Sequence, residues 1–248
     1  MLNVISEKII NASIKRLNKI LYRKNHLLSP DKAIISFTFD DVPKTAVKKG
    51  AKILNNYGIK GTFYLSLELL GGYSDVGLPI ADRHDIENLI SNGHEIGDHT
   101  YSHLRAFEVS DEEYEKSILM NREKMDALFA GYEFRSFAYP YGSVTPNKKR
   151  IVRKYYNIAR GIEGGLNKSY MDTLLLKSYH LAGNKDRLGF YSGLIDNAIE
   201  QNSWLIFFTH EVQTNPTEFG CDLILFESLI NYCISKDLII KTISDLIE

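Results

Sequence analysis

The side chains best equipped for chemistry in this chain fall into four short segments. Asp40-Asp41 follows one apolar run, and His99 and His103 form a His-x-x-x-His pair after another. Tyr139-Pro140-Tyr141-Gly142 closes a third run, and His210 follows the stretch Trp204–Thr209. Singly, each has a plain structural reading. An aspartate pair can cap a turn or helix, the histidine spacing arises on any helix face, and a lone histidine after a strand can be a satisfied core residue. Together they offer two imidazoles and a carboxylate, which suit Zn²⁺ or a similar borderline cation and leave positions for water and substrate. The other histidines serve as controls. His26 precedes the first expected strand, His84 opens a helix and His94 starts a strand, while His180 follows a strand and stays open.

For these segments to meet, the fold must carry them to one rim. Ala33–Phe39 reads as a buried strand, β-branched and aromatic and bounded by turn residues. Strands are also expected at 60–66, 94–97, 134–139, 156–160, near 174–179, at 204–209 and at 238–241. Helices are expected between them at 45–57, 81–92, 110–129, 146–154, 186–201 and 221–235, with a short one at the end. Ser110 and Glu113 form a capping box at the head of the longest. Such alternation requires a parallel sheet covered by helices, and its length favours a barrel over an open sheet. Barrel enzymes keep their chemistry at the C-terminal ends of the strands, where the four segments fall. No GxGxxG or GxxxxGK[ST] occurs, which counts against nucleotide folds.

The 248 residues, 44% apolar and 25% charged, are ordinary for a globular chain with a sizeable core. With 30 basic against 31 acidic side chains there is no long-range field to gather nucleic acid, so no nucleic-acid partner is expected. Fifteen tyrosines and twelve phenylalanines suit sugar-binding walls and a core alike. Cys221 and Cys233 form no CxxC, so reduced thiols are expected.

Residues 1–30 read as an amphipathic leader helix and 31–248 as the catalytic barrel. Ile5, Ile9, Ile10, Ile14, Leu17, Ile20 and Leu21 form a helical stripe among Lys8, Lys15, Arg16 and Lys19. Such a helix packs on its domain or rests on an anionic membrane surface. The N-terminus lacks the continuous apolar core of a secretory signal, so the expected location is cytoplasmic, with contact at the inner face of the membrane through the leader left as an alternative.

The segments TFDD (Thr38–Asp41), HTYSH (His99–His103), FAYPYG (Phe137–Gly142) and FFTHEV (Phe207–Val212) resemble the ordered motifs of the polysaccharide deacetylases, carbohydrate esterase family four. The resemblance runs from about Ala33 to Glu248. It implies a distorted, seven-stranded (β/α) barrel with one divalent metal, most often Zn with Co, Mn or Ni as alternatives, that hydrolyses N-acetyl groups on an amino sugar, glycan or lipid-linked saccharide. By the same resemblance Asp41, His99 and His103 bind the metal and Asp40 is the general base. His210 protonates the leaving amine, and the Tyr141 N–H helps hold the oxyanion. Hydrolysis of another C–N bond, in a cyclic imide or ureide, and a non-catalytic sugar-binding barrel are the alternatives.

Three positions depart from the family pattern. Val42 stands where Gly is common. Ala138 stands where many members carry an Arg that orients the catalytic Asp, and Arg135 is not given that role. Ser178-Tyr179-His180 occupies the region of a usual Asp-Trp motif, and His180 is the candidate for the missing orientation.

Overall fold

A computed structural model describes residues 12–247. In chain order, β1 (Asn25–Leu28) stands apart from the main sheet, which begins with β2 (Ile34–Asp40). Every residue of β2 is buried, as a strand covered on both faces requires. From β2 the sheet steps through β3 (Thr62–Leu65), β4 (Glu95–Asp98), β5 (Phe137–Ala138) and β6 (Ala159–Arg160). Strand β7 (Ser169–Asp172) leaves the sheet to pair antiparallel with β1. On the other side of β2 lie β9 (Trp204–Thr209) and then β8 (Tyr179–His180). Strand β10 (Ile239–Ile240) flanks the start of β2, before β3 takes over that edge.

All pairings in the main sheet are parallel. The two edges of the sheet are joined by one segment. Leu176 exchanges backbone hydrogen bonds with Ala159 and Gly161 beside β6, each 2.9 Å long, and β8 pairs with β9 soon after. The result is the distorted (β/α) barrel with seven parallel strands that the sequence led us to expect.

Helices cover the barrel. They are α1 (residues 12–20), α2 (a π-wound Ala46–Ala51 continuing as α-wound Lys52–Asn56), α3 (Arg83–Ser91) and α4 (Asp111–Leu128). They continue with α5 (Pro146–Tyr155), α6 (Leu188–Glu200) and α7 (Leu223–Ser235). The expected capping box forms at α4, where Glu113 N–H donates to Ser110 Oγ and Ser110 N–H to Glu113 Oε2. In the core, the Phe39 and Phe63 rings stack 4.5 Å apart and Phe37 and Phe39 meet the edge of Phe226. The strand expected at 134–139 shortens to two residues. Ser136 turns its hydroxyl to Glu95, and Pro140 offers no N–H to prolong pairing.

The leader attaches differently from its apolar stripe. Asn18 is the buried residue of α1, and its amide donates to the Val144 carbonyl at 2.8 Å. Buried Lys149 reaches back to the Asn18 and Leu21 carbonyls at 2.6 and 3.0 Å and to the Asp172 carboxylate. An ammonium there complements the negative end of the helix. Ile5, Ile9 and Ile10 lie outside the described residues. No helix among those described is long and apolar enough to cross a membrane.

Candidate metal centre and its rim

Consecutive residues of a strand point to opposite faces, so Asp40 and Asp41 could not both face one site from a regular strand. The backbone resolves this by turning left-handed at Asp41 (φ 61°) and Val42 (φ 53°), just past the end of β2. Past β4 the chain does the same at Thr100 (φ 60°) and His103 (φ 50°), so the histidine spacing belongs to a folded turn and not to a helix face. Asp98 holds that turn. It accepts from Thr100 N–H at 2.7 Å, from Asn121 at 2.8 Å and from the Tyr156 hydroxyl. Burial pushes its carboxyl up to about 6, against these hydrogen bonds.

One ligand atom each from Asp41, His99 and His103 lies within 4.8 Å of the others. Asp41 Oδ1 is 3.7 Å from His99 Nε2 and 3.1 Å from His103 Nε2. His99 Nδ1 lies 2.8 Å from the Ala138 carbonyl, which can only accept, so the proton sits on Nδ1 and Nε2 presents a lone pair to Asp41. Burial drives the imidazoles toward neutrality, lowering His99 to about 3 and His103 below its ordinary value. Asp41 Oδ1 is buried without a hydrogen-bond partner, and burial, opposed by His210, raises the carboxyl to about 7. A buried carboxylate oxygen, the His99 lone pair and the His103 Nε2 converge on one point with few hydrogen bonds to satisfy them. A divalent cation supplies the missing attraction, so these residues fit one.

Asp40 sits beside this trio and is held by a residue the sequence reading missed. The buried Arg160 guanidinium donates through Nη2 to Asp40 Oδ1. Burial acts to raise the Asp40 carboxyl, but Arg160, with His99 and His210, holds it below its ordinary value. Arg160 also donates to the Gly161 carbonyl and packs against the faces of Tyr64 and Phe208, with ring centroids 5.1 and 5.0 Å away. It stands opposite Ala138 in the β5–β6 register, so an arginine reaches Asp40 from the neighbouring strand. His180, the expected candidate for that role, instead faces the Phe219 carbonyl at 3.2 Å and stacks on Phe208. Arg160 is the last residue of its strand, the placement that singled out the other site residues.

The remaining rim residues close the site. His210 lies with Nε2 3.9 Å from Asp41 Oδ2 and Nδ1 3.3 Å from the Phe219 carbonyl. Tyr141 is left-handed (φ 56°); its ring centroid lies 4.3 Å from that of His103 at a tilt of 45°, and Arg105 lies over the Tyr141 ring at 3.5 Å. Gly142 must be glycine, because a Cβ there would lie 2.2 Å from Ile162 Cγ1. Asp75, which the sequence reading also passed over, accepts from the Tyr141 hydroxyl and lies 3.6 Å from His103 Nδ1, too far for a hydrogen bond. From Tyr141, Gly142 and Arg105 a cleft of about 960 Å³ runs to Ile14, Lys19 and Tyr170.

Comparison with known proteins agrees with this architecture. Two stretches are similar to peptidoglycan-N-acetylglucosamine deacetylases of Bacillus cereus. One is 30% identical over 119 residues, 48% of this chain and 40% of the relative. The other is 33% identical over 88 residues, 35% of this chain and 37% of the relative. The matched part thus spans about two-fifths of those relatives. Among solved structures, a peptidoglycan N-acetylglucosamine deacetylase superposes with a TM-score of 0.57 at 19% identity, covering 88% of this chain and 89% of that one. A CE4 family pseudoenzyme from Bacillus anthracis superposes at 0.58 with 13% identity, covering 89% and 67%. The sequence model for polysaccharide deacetylases matches residues 28–157, just over half of the chain and inclusive of Asp40, Asp41, His99, His103 and Tyr141. The chain belongs to the polysaccharide deacetylase family.

Proposed function

We propose that this protein is a metal-dependent hydrolase that removes N-acetyl groups from an amino sugar or glycan. The observation that carries the reading is the pairing of two unlike carboxylates on one rim. Asp41 shares a lone-pair cluster with His99 and His103, while Asp40 is ionised against Arg160. A bound divalent cation supplies Lewis acidity, polarising the amide carbonyl and making water more acidic.

The residues divide the remaining work. Arg160 engages Asp40 Oδ1, which leaves Oδ2 to take a proton from the attacking water. The water oxygen bonds to the acetyl carbon, and the C–N bond then breaks. His210, its Nδ1–H held by the Phe219 carbonyl, delivers a proton from Nε2 to the departing amine. The products are acetate and a free amino sugar. The backbone N–H of Tyr141, on its left-handed turn, serves the oxyanion, and Gly142 keeps that turn clear of Ile162. The pseudoenzyme among the structural neighbours keeps a binding-only reading in view, but Asp40 with Arg160, and His210, are groups that binding alone does not need.

Metal analysis together with acetate release from N-acetylated oligosaccharides, nucleotide-linked sugars and lipid-linked saccharides tests the reading. Asp40→Asn should retain the metal and lose turnover by about 10²–10⁴-fold. A fully active Asp40→Asn protein, or a wild type that binds no divalent cation, would sink it.

A further inference from the structure

Helix α1 is built inside out. An amphipathic surface helix turns its apolar stripe to the core. Here the buried residue is polar Asn18, whereas Leu17, Ile20 and Leu21 are 43%, 61% and 38% exposed. Their i, i+3, i+4 spacing puts these three on one face. The cause is the attachment described above: Asn18 and the long arm of Lys149 hold the helix by polar bonds and leave its stripe free. Exposed Tyr22 extends the patch. On the adjoining ribbon, the cross-strand partners Leu27 and Tyr170 are exposed as well.

The same segment carries charge of one sign. Residues 12–30 include Lys15, Arg16, Lys19, Arg23 and Lys24 and no aspartate or glutamate, in a chain whose net charge is −1. Lys19 pairs with Glu163 and Lys24 bonds Asn157. Lys15, Arg16 and Arg23 make no ion pair among the described residues, and Arg23 only hydrogen-bonds Asn25 and the Lys19 carbonyl.

We propose that this face seats the protein on an anionic phospholipid bilayer. Leu17, Ile20, Leu21 and Tyr22 enter the headgroup boundary, and the free cations meet lipid phosphates. Two other occupants fit less well. A two-fold contact between copies of the chain would set one cationic segment against another. A polyanionic glycan would satisfy the cations and leave the apolar stripe in water. Lys15, Lys19 and Tyr170 also line the cleft that reaches Tyr141, so a seated protein opens its cleft toward the lipid headgroups. The inference does not depend on the deacetylase reading, since docking is measured without turnover.

The test is co-sedimentation of the full chain with phosphatidylcholine vesicles, with and without phosphatidylglycerol. Binding should be about tenfold or more stronger to the anionic vesicles and should weaken as salt is raised. The triple variant Leu17→Ser, Ile20→Ser, Leu21→Ser should lose that gain while melting like the wild type. The variant Lys15→Gln, Arg16→Gln, Arg23→Gln should also lose it, which keeps the test sound if the first variant folds poorly. Ile224→Ser with Ile234→Ser, at exposed apolar positions on α7, should bind as the wild type does. Three results would overturn the proposal: no preference for anionic vesicles, undiminished binding by both leader variants, or a lipid-free dimer that the triple serine variant abolishes.

Discussion

Asp41 and Glu95 are equally buried carboxylates, each 6% exposed, at opposite ends of the same barrel. Glu95 opens β4 at the floor. It accepts from the Thr62 hydroxyl at 2.9 Å, the Ser136 hydroxyl at 2.6 Å and the Ser244 N–H at 3.0 Å. Asp41 lies past the end of β2 at the rim, and its Oδ1 has no donor. A buried acceptor left without a partner costs stability, so a fold tolerates it where another demand outweighs the cost. Burial is the same in both places. Satisfaction is what separates the structural carboxylate from the one we propose as a metal ligand.

That contrast is open to four measurements, taken from the largest expected effect to the smallest. Asp41→Asn should abolish metal binding and turnover, yet the metal-free variant should melt no lower than metal-free wild type near neutral pH. The sign follows from the raised carboxyl at about 7. A folded-state value above the unfolded one makes stability complete at low pH and lost as pH rises through that value, so removing the group removes a penalty. A large fall in melting temperature would place Asp41 with Glu95 and break the distinction.

Arg160→Met should keep the metal and lower turnover. Without the guanidinium, burial dominates at Asp40, and the acid limb of the pH–rate profile should move up by roughly 1–3 units. An unmoved limb would mean that Arg160 only fills space. Glu95→Gln should leave metal affinity and the pH profile unchanged and cost about 1–3 kcal/mol, because an amide –NH₂ would face hydrogen-bond donors. Thermal melting reads this as roughly 2–4 °C per kcal/mol in a chain of this size.

The smallest effect concerns His94, the residue before Glu95. Its Nδ1 accepts from Gly61 N–H, and burial lowers it to about 4. The unfolded chain therefore takes up a proton first. His94 favours the fold above about pH 6.5, and that contribution fades as pH falls toward 4. His94→Gln should flatten the stability curve between those values in urea titrations.

The legibility of the sequence differed between these regions for physical reasons. Long apolar strands such as Ile34–Asp40 and Trp204–Thr209, and capped helices such as α4, announce themselves because their signals are local. The rim histidines were legible because each follows a strand. Arg160 was not, since its link to Asp40 depends on which residue faces Ala138 across two short strands, and register lies outside any single segment. The β1–β7 ribbon escaped for a similar reason: Asn25–Leu28 is half exposed, and its partner lies far along the chain. The periodicity of Ile14, Leu17, Ile20 and Leu21 is visible in the sequence, but it cannot say which way a stripe faces when a buried lysine decides the attachment.

The left-handed turn after β2 has a consequence for how the rim ages under mutation. Val42 is fully buried at φ 53°, a conformation that costs a side-chain-bearing residue roughly 1–2 kcal/mol. Glycine would adopt it freely, so here the backbone's own preference does not set the angle. Packing around the isopropyl group sets it, and with it the aim of the neighbouring carboxylate. The geometry of the proposed ligand Asp41 is thus tied to the core beneath it. Substitutions that loosen that core should erode metal affinity well before they unfold the chain.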